Sequence, residues 1–140
     1  YITSDINDPI LEKTLPGIKS FFIGYGDSRT EFFKILDVRV LAMTMPDLEQ
    51  FYIKRSQTQT HYVYIFHAIA STHLVYQKNA FDHFDTIFCV GEHHINEIRE
   101  TEKVYKLKPK KLLPYGFPRL DTLMNQKQNF KQENYHSIRV

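Results

Sequence analysis

Short apolar segments recur along this chain at regular intervals, and they limit the folds open to it more than any other feature. Each is rich in β-branched or aromatic residues and ends near Gly, Asp, Pro or Ser, as strands do. Several are apolar at consecutive positions, which is typical of parallel strands that are covered on both faces. Six strands are predicted, at residues 1–4, 21–24, 38–43, 62–66, 86–90 and 111–115.

The segments between these strands have helical spacing. Residues 28–36, with Asp27 or Ser28 as the N-cap, and residues 74–84 and 92–105 repeat apolar positions every three or four residues, and Pro118 suits the first turn of a further helix. A short helix is also predicted at residues 48–53, before a polar loop. The alternation of strands and helices predicts an α/β fold that is doubly wound, with a mainly parallel, Rossmann-like sheet.

The length of 140 residues suits one domain with a core of its own. We interpret residues 1–126 as this Rossmann-like domain. Residues 125–134 are rich in Gln, Asn and Lys, which is typical of a helix end or an interdomain linker, and residues 138–140 could open a new strand. Residues 127–140 are therefore expected to form a linker and the start of a truncated second domain.

Composition and charge argue against several classes of function. The net charge is +2 without a clustered basic stripe, so nucleic acid is not an expected partner. The basic run at residues 103–111 is interpreted as a solvated loop, with weak attraction to an anionic membrane surface as the alternative. The single cysteine, Cys89, lies in an apolar run and is expected to be a buried thiol in a reducing cytoplasm.

The spacing of the histidines and glycines argues against a metal or a dinucleotide. His93 and His94 are adjacent, so they point about 100° apart on a helix, and no Cys cluster completes a site. Residues 24–29, Gly-Tyr-Gly-Asp-Ser-Arg, have Arg29 where a dinucleotide fingerprint has its third glycine, and we interpret them as a tight turn. Neither a metal nor a cofactor is predicted.

His67 has the position expected of a catalytic residue. It directly follows the predicted strand at residues 62–66, and in open parallel sheets ligands bind beyond the carboxyl ends of the strands. An imidazole at that edge can accept a proton near neutral pH. The alternative is a structural histidine that is hydrogen-bonded within the fold.

Two motifs together resemble the CDP-glycerol glycerophosphotransferase family of teichoic acid and capsule synthesis. The first is Tyr-Ile-Phe-His-Ala at residues 64–68, and the second is Leu-Pro-Tyr-Gly-Phe-Pro-Arg-Leu-Asp at residues 113–121. In that family an N-terminal Rossmann-like domain, one half of a GT-B architecture, carries a Trp-His-Gly type motif and ends in a Gly-Tyr-Pro-Arg-x-Asp type motif. The resemblance covers residues 62–121, but Phe66 stands in place of the Trp and Ala68 in place of the Gly.

The resemblance implies transfer of a glycerol-phosphate or related unit from a CDP-activated donor to a hydroxyl of a polymer or lipid-linked acceptor. His67 would be the base. Ser71 and Thr72, at the N-terminus of the following helix, would bind an anion. Arg119 would contact phosphate or clamp the interdomain linker, and Asp121 would cap the segment or orient it, although a purely structural role at the start of a helix is the alternative for both.

The donor pocket of the family lies mainly in the second, nucleotide-binding domain, so this chain alone is expected to be inactive. The implied location is the cytoplasm, with peripheral contact at the inner face of the membrane left open. Two other functions also stay open. One is a different GT-B enzyme, such as a sugar transferase or a UDP-sugar 2-epimerase relative, and the other is a non-catalytic α/β ligand-binding domain.

Overall fold

The structure is a computed structural model that describes residues 1–13 and 15–134, with side chains described as far as residue 127. Strands and helices alternate along this part of the chain. The strands are β1 (Ile2–Thr3), β2 (Phe21–Phe22), β3 (Val40–Met43), β4 (His61–Ile65), β5 (Thr86–Cys89) and β6 (Lys111–Pro114). The helices are α1 (Asp27–Ile35), α2 (Thr72–Val75), α3 (Glu92–Tyr105) and α4 (Pro118–Asn134), and a short 3₁₀ helix spans Pro9–Leu11.

The central sheet has four strands in the order β3-β4-β5-β6, and all of them are parallel. In its register Val63 of β4 pairs with Thr86 of β5, which pairs in turn with Lys111 of β6. β1 and β2 form a separate two-stranded parallel sheet. Helices flank the central sheet, so the predicted α/β class is confirmed, and the architecture is consistent with a Rossmann-like fold.

The core is built on one face of the two inner strands. Because side chains alternate along a strand, Tyr62, Tyr64 and Phe66 share a face, and all three are buried. Ile87 and Cys89 of β5 are fully buried beside them, as predicted for Cys89. Burial of a large apolar side chain contributes about 1.5–3 kcal/mol. This aromatic core therefore anchors the end of β4, where the candidate site begins.

The helix predicted at residues 74–84 is wrong. α2 ends at Val75, Tyr76 is extended, and Asn79 has a left-handed φ of 72°. The rest of the segment is a series of turns that place Phe81 and Phe84 against the ring of Tyr64, with centroids 4.9 and 5.2 Å away. Packing of these aromatic rings against β4 overrides the local helical spacing.

The short helix predicted at residues 48–53 is also wrong. Asp47 and Glu49 have left-handed φ angles of 65° and 73°, so the chain forms a turn there. The N–H of Glu49 donates to the carbonyl of Ile53 across this turn at 2.8 Å. Leu48 and Ile53 are the apolar residues that suggest a helix. They lie near the two ends of the turn, and both are buried in the core.

The remaining helices agree closely with the sequence. α3 has the predicted bounds, and α4 begins at Pro118 as predicted. α1 begins at Asp27, and its N-cap is Gly26 and not Asp27 or Ser28. α4 continues through the predicted domain boundary between residues 126 and 127 as far as Asn134. The predicted strand at residues 138–140 lies outside the described residues, so the second domain stays a prediction.

Within the described part of the chain, no helix combines the length and apolarity needed to cross a lipid bilayer.

Candidate functional site

The segments that follow β4, β5 and β6 meet at the carboxyl edge of the sheet and form the candidate site. His67 lies two residues beyond the end of β4, α3 begins three residues beyond β5, and α4 begins four residues beyond β6. Because β5 lies between the other two strands, the segments after β4 and β6 start about 10 Å apart, two strand spacings.

The side chain of His67 is exposed at this edge, as the sequence predicted. Phe66, the residue before it, is buried, and its ring packs edge-to-face against Tyr64 and at a tilt against His94, with centroids 4.9 and 4.0 Å away. Among the described residues, no side-chain hydrogen bond to the imidazole of His67 is found. The structural alternative requires such bonds, whereas a general base must be accessible. Its catalytic role stays a prediction.

The first turn of α3 holds the segment that follows His67. His93 Nε2 lies 3.1 Å from the carbonyl oxygen of Ile69, and His94 Nε2 lies 2.8 Å from that of Ala70. Since a carbonyl oxygen can only accept, both imidazoles donate through Nε2, and this assigns their tautomers. Two consecutive carbonyl groups after β4 are thereby fixed to α3.

Glu97, one turn further along α3, completes this attachment. Its Oε2 accepts hydrogen bonds of 2.6 Å from both the backbone N–H and the hydroxyl of Thr72. Its Oε1 lies 3.6 Å from Nδ1 of His73, which is also 3.0 Å from the hydroxyl of Ser71. The N–H and hydroxyl groups at the start of α2 therefore already bind a carboxylate of the chain itself.

This arrangement bears directly on the predicted anion site. Thr72 is buried and both of its donors are directed to Glu97, while Ser71 is half-buried and bonded to His73. α2 is only four residues long. An incoming phosphate would have to displace Glu97, so the substrate-binding role of Ser71 and Thr72 stays a prediction.

Burial and hydrogen bonding shift two pKa values in this group. Burial alone would raise the pKa of Glu97, but the hydrogen bonds from Thr72, with smaller effects of Ser71 and His73, bring it below its ordinary value. Burial lowers the pKa of His94, and nearby His93 lowers it further, against the opposing effect of the Ala70 carbonyl. His94 is therefore neutral and Glu97 ionised near neutral pH.

Arg119 and Asp121 lie in the first turn of α4, and both side chains are exposed. The position of Asp121 suits the positive end of the helix dipole. Among the described residues, no ion pair joins either side chain to the group around Glu97. The structure thus places them at the same sheet edge as His67 without direct contact, and their roles stay predictions.

Sequence reasoning missed the connecting role of α3. From the sequence, His93 and His94 suggest a metal site, which their spacing does not support, and Glu97 belongs to none of the motifs. Glu97 lies four positions after His93 and three after His94, so its side chain is a neighbour of both on the helix surface, and this spacing is a signal in the sequence. In the described part of the chain, no group of three or more His, Cys, Asp or Glu side chains could hold a metal ion.

Comparisons with protein-family models, with curated proteins and with solved structures find no match to this chain. A functional assignment therefore depends on the sequence motifs and on the geometry of the site.

Proposed function

We propose that this chain is the acceptor-side domain of a transferase that moves a glycerol-phosphate or related unit from a CDP-activated donor to an acceptor hydroxyl in cell-surface polymer synthesis. The observation that carries the proposal is the exposed imidazole of His67 at the carboxyl end of an inner parallel strand. This is the edge at which ligands bind in open α/β sheets. The two sequence motifs supply the substrate class.

In the proposed reaction His67 removes the proton from the acceptor hydroxyl. The hydroxyl oxygen attacks the phosphorus of the glycerol-phosphate unit, the bond from that phosphorus to the pyrophosphate bridging oxygen breaks, and cytidine monophosphate leaves. Such a step needs close positioning of the two reactants and cations near the pyrophosphate. Arg119 is exposed at the same edge and is proposed to provide one of those cations.

The attachment of the β4–α2 segment to α3 supports this role for His67. A catalytic side chain works best when its backbone is held by buried neighbours. Here Phe66 on one side of His67 is buried, and Ala70 and Thr72 on the other side are bonded to α3. Glu97 already accepts two hydrogen bonds from Thr72 and lies 3.6 Å from His73, so it is not available as a competing base.

The acceptor is proposed to be a polymer or a lipid-linked chain, and the site of action the inner face of the cell membrane. The donor is proposed to bind mainly through a second domain, so the reaction should be tested on the full-length protein.

The test compares His67→Ala with a control, His83→Ala. His83 is also an exposed histidine, but it lies in the segment between α2 and β5. Release of cytidine monophosphate from CDP-glycerol is followed in the presence of acceptor. Loss of a general base should reduce turnover by about 10²- to 10⁴-fold and leave the donor KM nearly unchanged. The His83 variant should match the wild type. Near-normal transfer by His67→Ala would show that His67 is a structural residue and not the base.

The same assay with CDP-ribitol and UDP-sugars separates the alternatives. Turnover of a UDP-sugar alone would indicate a different GT-B enzyme. Binding of nucleotide without turnover would indicate a ligand-binding domain.

A further inference from the structure

A cavity of about 280 Å³ lies between α3 and the irregular segment that joins α2 to β5. It begins beside Thr72 and His73 and extends along α3 to Glu102 and Lys110. His67 does not line it. The cavity therefore borders the candidate site through Thr72 and His73 but does not include the proposed base.

The cavity combines aromatic walls with balanced charge. Tyr76, Phe81 and Tyr105 contribute aromatic rings to its lining. Its lysines and carboxylates balance, since Lys78 and Lys110 line it together with Asp82 and Glu102. A balanced set of charges gives little attraction to an ion of either sign, but it offers both donors and acceptors to a neutral polar ligand.

Lys110 has the most unusual environment in this lining. Only 4% of its side chain is exposed, and its Nζ lies 3.9 Å from Oε1 of Glu102, beyond hydrogen-bond distance. Among the described residues, no acceptor is found for the three N–H groups of this ammonium. Glu102 itself already accepts from the side chain of Arg99 and from the backbone N–H of Lys110. This ammonium is ion-paired with Glu102 but makes no hydrogen bond to a described residue, so a ligand oxygen in the cavity could accept from it.

The two walls of the cavity are joined by a cation–π contact. Nζ of Lys78, in the segment between α2 and β5, lies 4.2 Å from the ring centroid of Tyr105 at the end of α3. Tyr105 is still 47% exposed, so the cation–π contact leaves part of this residue accessible to a ligand.

We infer that this cavity binds a neutral polyhydroxylated ligand, either a monosaccharide or an alditol. Ligand hydroxyls can accept from Lys110 and donate to Asp82 or Glu102, while the C–H face of the ligand packs on Tyr105. At about 30 Å³ for each water, the cavity has the volume of roughly nine waters, which is sufficient for a single sugar or alditol. The inference rests on the lining alone and holds whether or not the chain is a transferase.

The test titrates the chain with ribitol, with D-glucose and, separately, with inorganic phosphate, while the NMR signals of the tyrosine rings are followed. We expect ribitol or glucose to shift the Tyr105 signals with a dissociation constant of about millimolar, the affinity expected of so small a ligand. Phosphate should bind more weakly, because the charges of the lining balance.

Two variants and two matched controls localise the binding. Tyr105→Ala and Lys110→Met should each weaken polyol binding by about tenfold or more. The controls are Tyr52→Ala, another exposed tyrosine beneath a cation, and Lys103→Met, an exposed lysine of α3 outside the cavity. Both controls should bind within about twofold of the wild type.

Three results would overturn the inference. The first is the absence of any response to either polyol at concentrations well above millimolar. The second is equal binding of polyol by the cavity variants and the controls. The third is phosphate binding that is tighter than polyol binding and is lost in Lys110→Met. If Lys110→Met fails to fold because the buried Glu102 loses one of its two cations, Tyr105→Ala decides alone, because its ring is half exposed.

Discussion

Replacement of Glu97 by alanine should loosen the segment that follows β4. In the structure one oxygen of this carboxylate accepts two hydrogen bonds from Thr72, each 2.6 Å long. The other oxygen lies 3.6 Å from the imidazole of His73. In Glu97→Ala the backbone N–H and the hydroxyl of Thr72, a buried residue, both lose their acceptor.

The size of the effect follows from these contacts. A hydrogen bond to a charged group contributes about 1.5–3 kcal/mol, and the low end applies here because 19% of the Glu97 side chain is exposed. Two such bonds give about 3 kcal/mol. The ion pair with His73 adds at most about 0.5 kcal/mol, because 65% of that imidazole is exposed. Thr72→Val removes only the hydroxyl bond and should cost about 1.5 kcal/mol.

Urea unfolding followed by circular dichroism measures these free energies in a double-mutant cycle. The double variant should be less destabilised than the sum of the two single variants by about 1–1.5 kcal/mol, because both single changes remove the same hydroxyl bond. Glu100→Ala is the control. Glu100 is an exposed residue of α3 that makes a 3.8 Å ion pair with the exposed Lys103, so its loss should cost less than about 0.5 kcal/mol.

The pH dependence of the cycle gives a second criterion. The pKa of Glu97 is lower in the folded state than its ordinary value of 4.5. Its stabilisation is therefore complete above that value and is lost as the pH falls through the folded-state pKa. A cost of Glu97→Ala no larger than that of Glu100→Ala, or strict additivity with Thr72→Val, would refute the reasoning.

Three further predictions follow from the buried groups. Burial lowers the pKa of His94 below 6.5, so the unfolding free energy should decrease as the pH falls below that value, and His94→Gln should flatten this dependence in urea titrations. Burial raises the pKa of Cys89 to about 11, so mass spectrometry should find the thiol unmodified by alkylating reagents until the protein unfolds, and rapid native labelling would contradict this. Phe66→Ala should cost about 3–5 kcal/mol in urea unfolding, whereas Phe51→Ala, at an exposed ring, should cost less than about 1 kcal/mol.

The sequence by itself determined the α/β class, six strands and the bounds of α3. These features depend on local patterns, since runs of apolar residues indicate buried parallel strands and helical spacing with a charged outer face indicates α3. It also determined the location and exposure of His67, because the residue after a parallel strand lies at the carboxyl edge of the sheet.

Only the tertiary structure decided the course of residues 76–84 and the partner of Thr72. The aromatic residues of that segment have helical spacing, but burying their rings against Tyr64 stabilises the fold more than a local helix would. Thr72 is bonded to Glu97, which is 25 positions away in the chain. A contact of that separation leaves no periodic signal in the sequence, because it is set by how α3 lies against the sheet and not by the residues on either side.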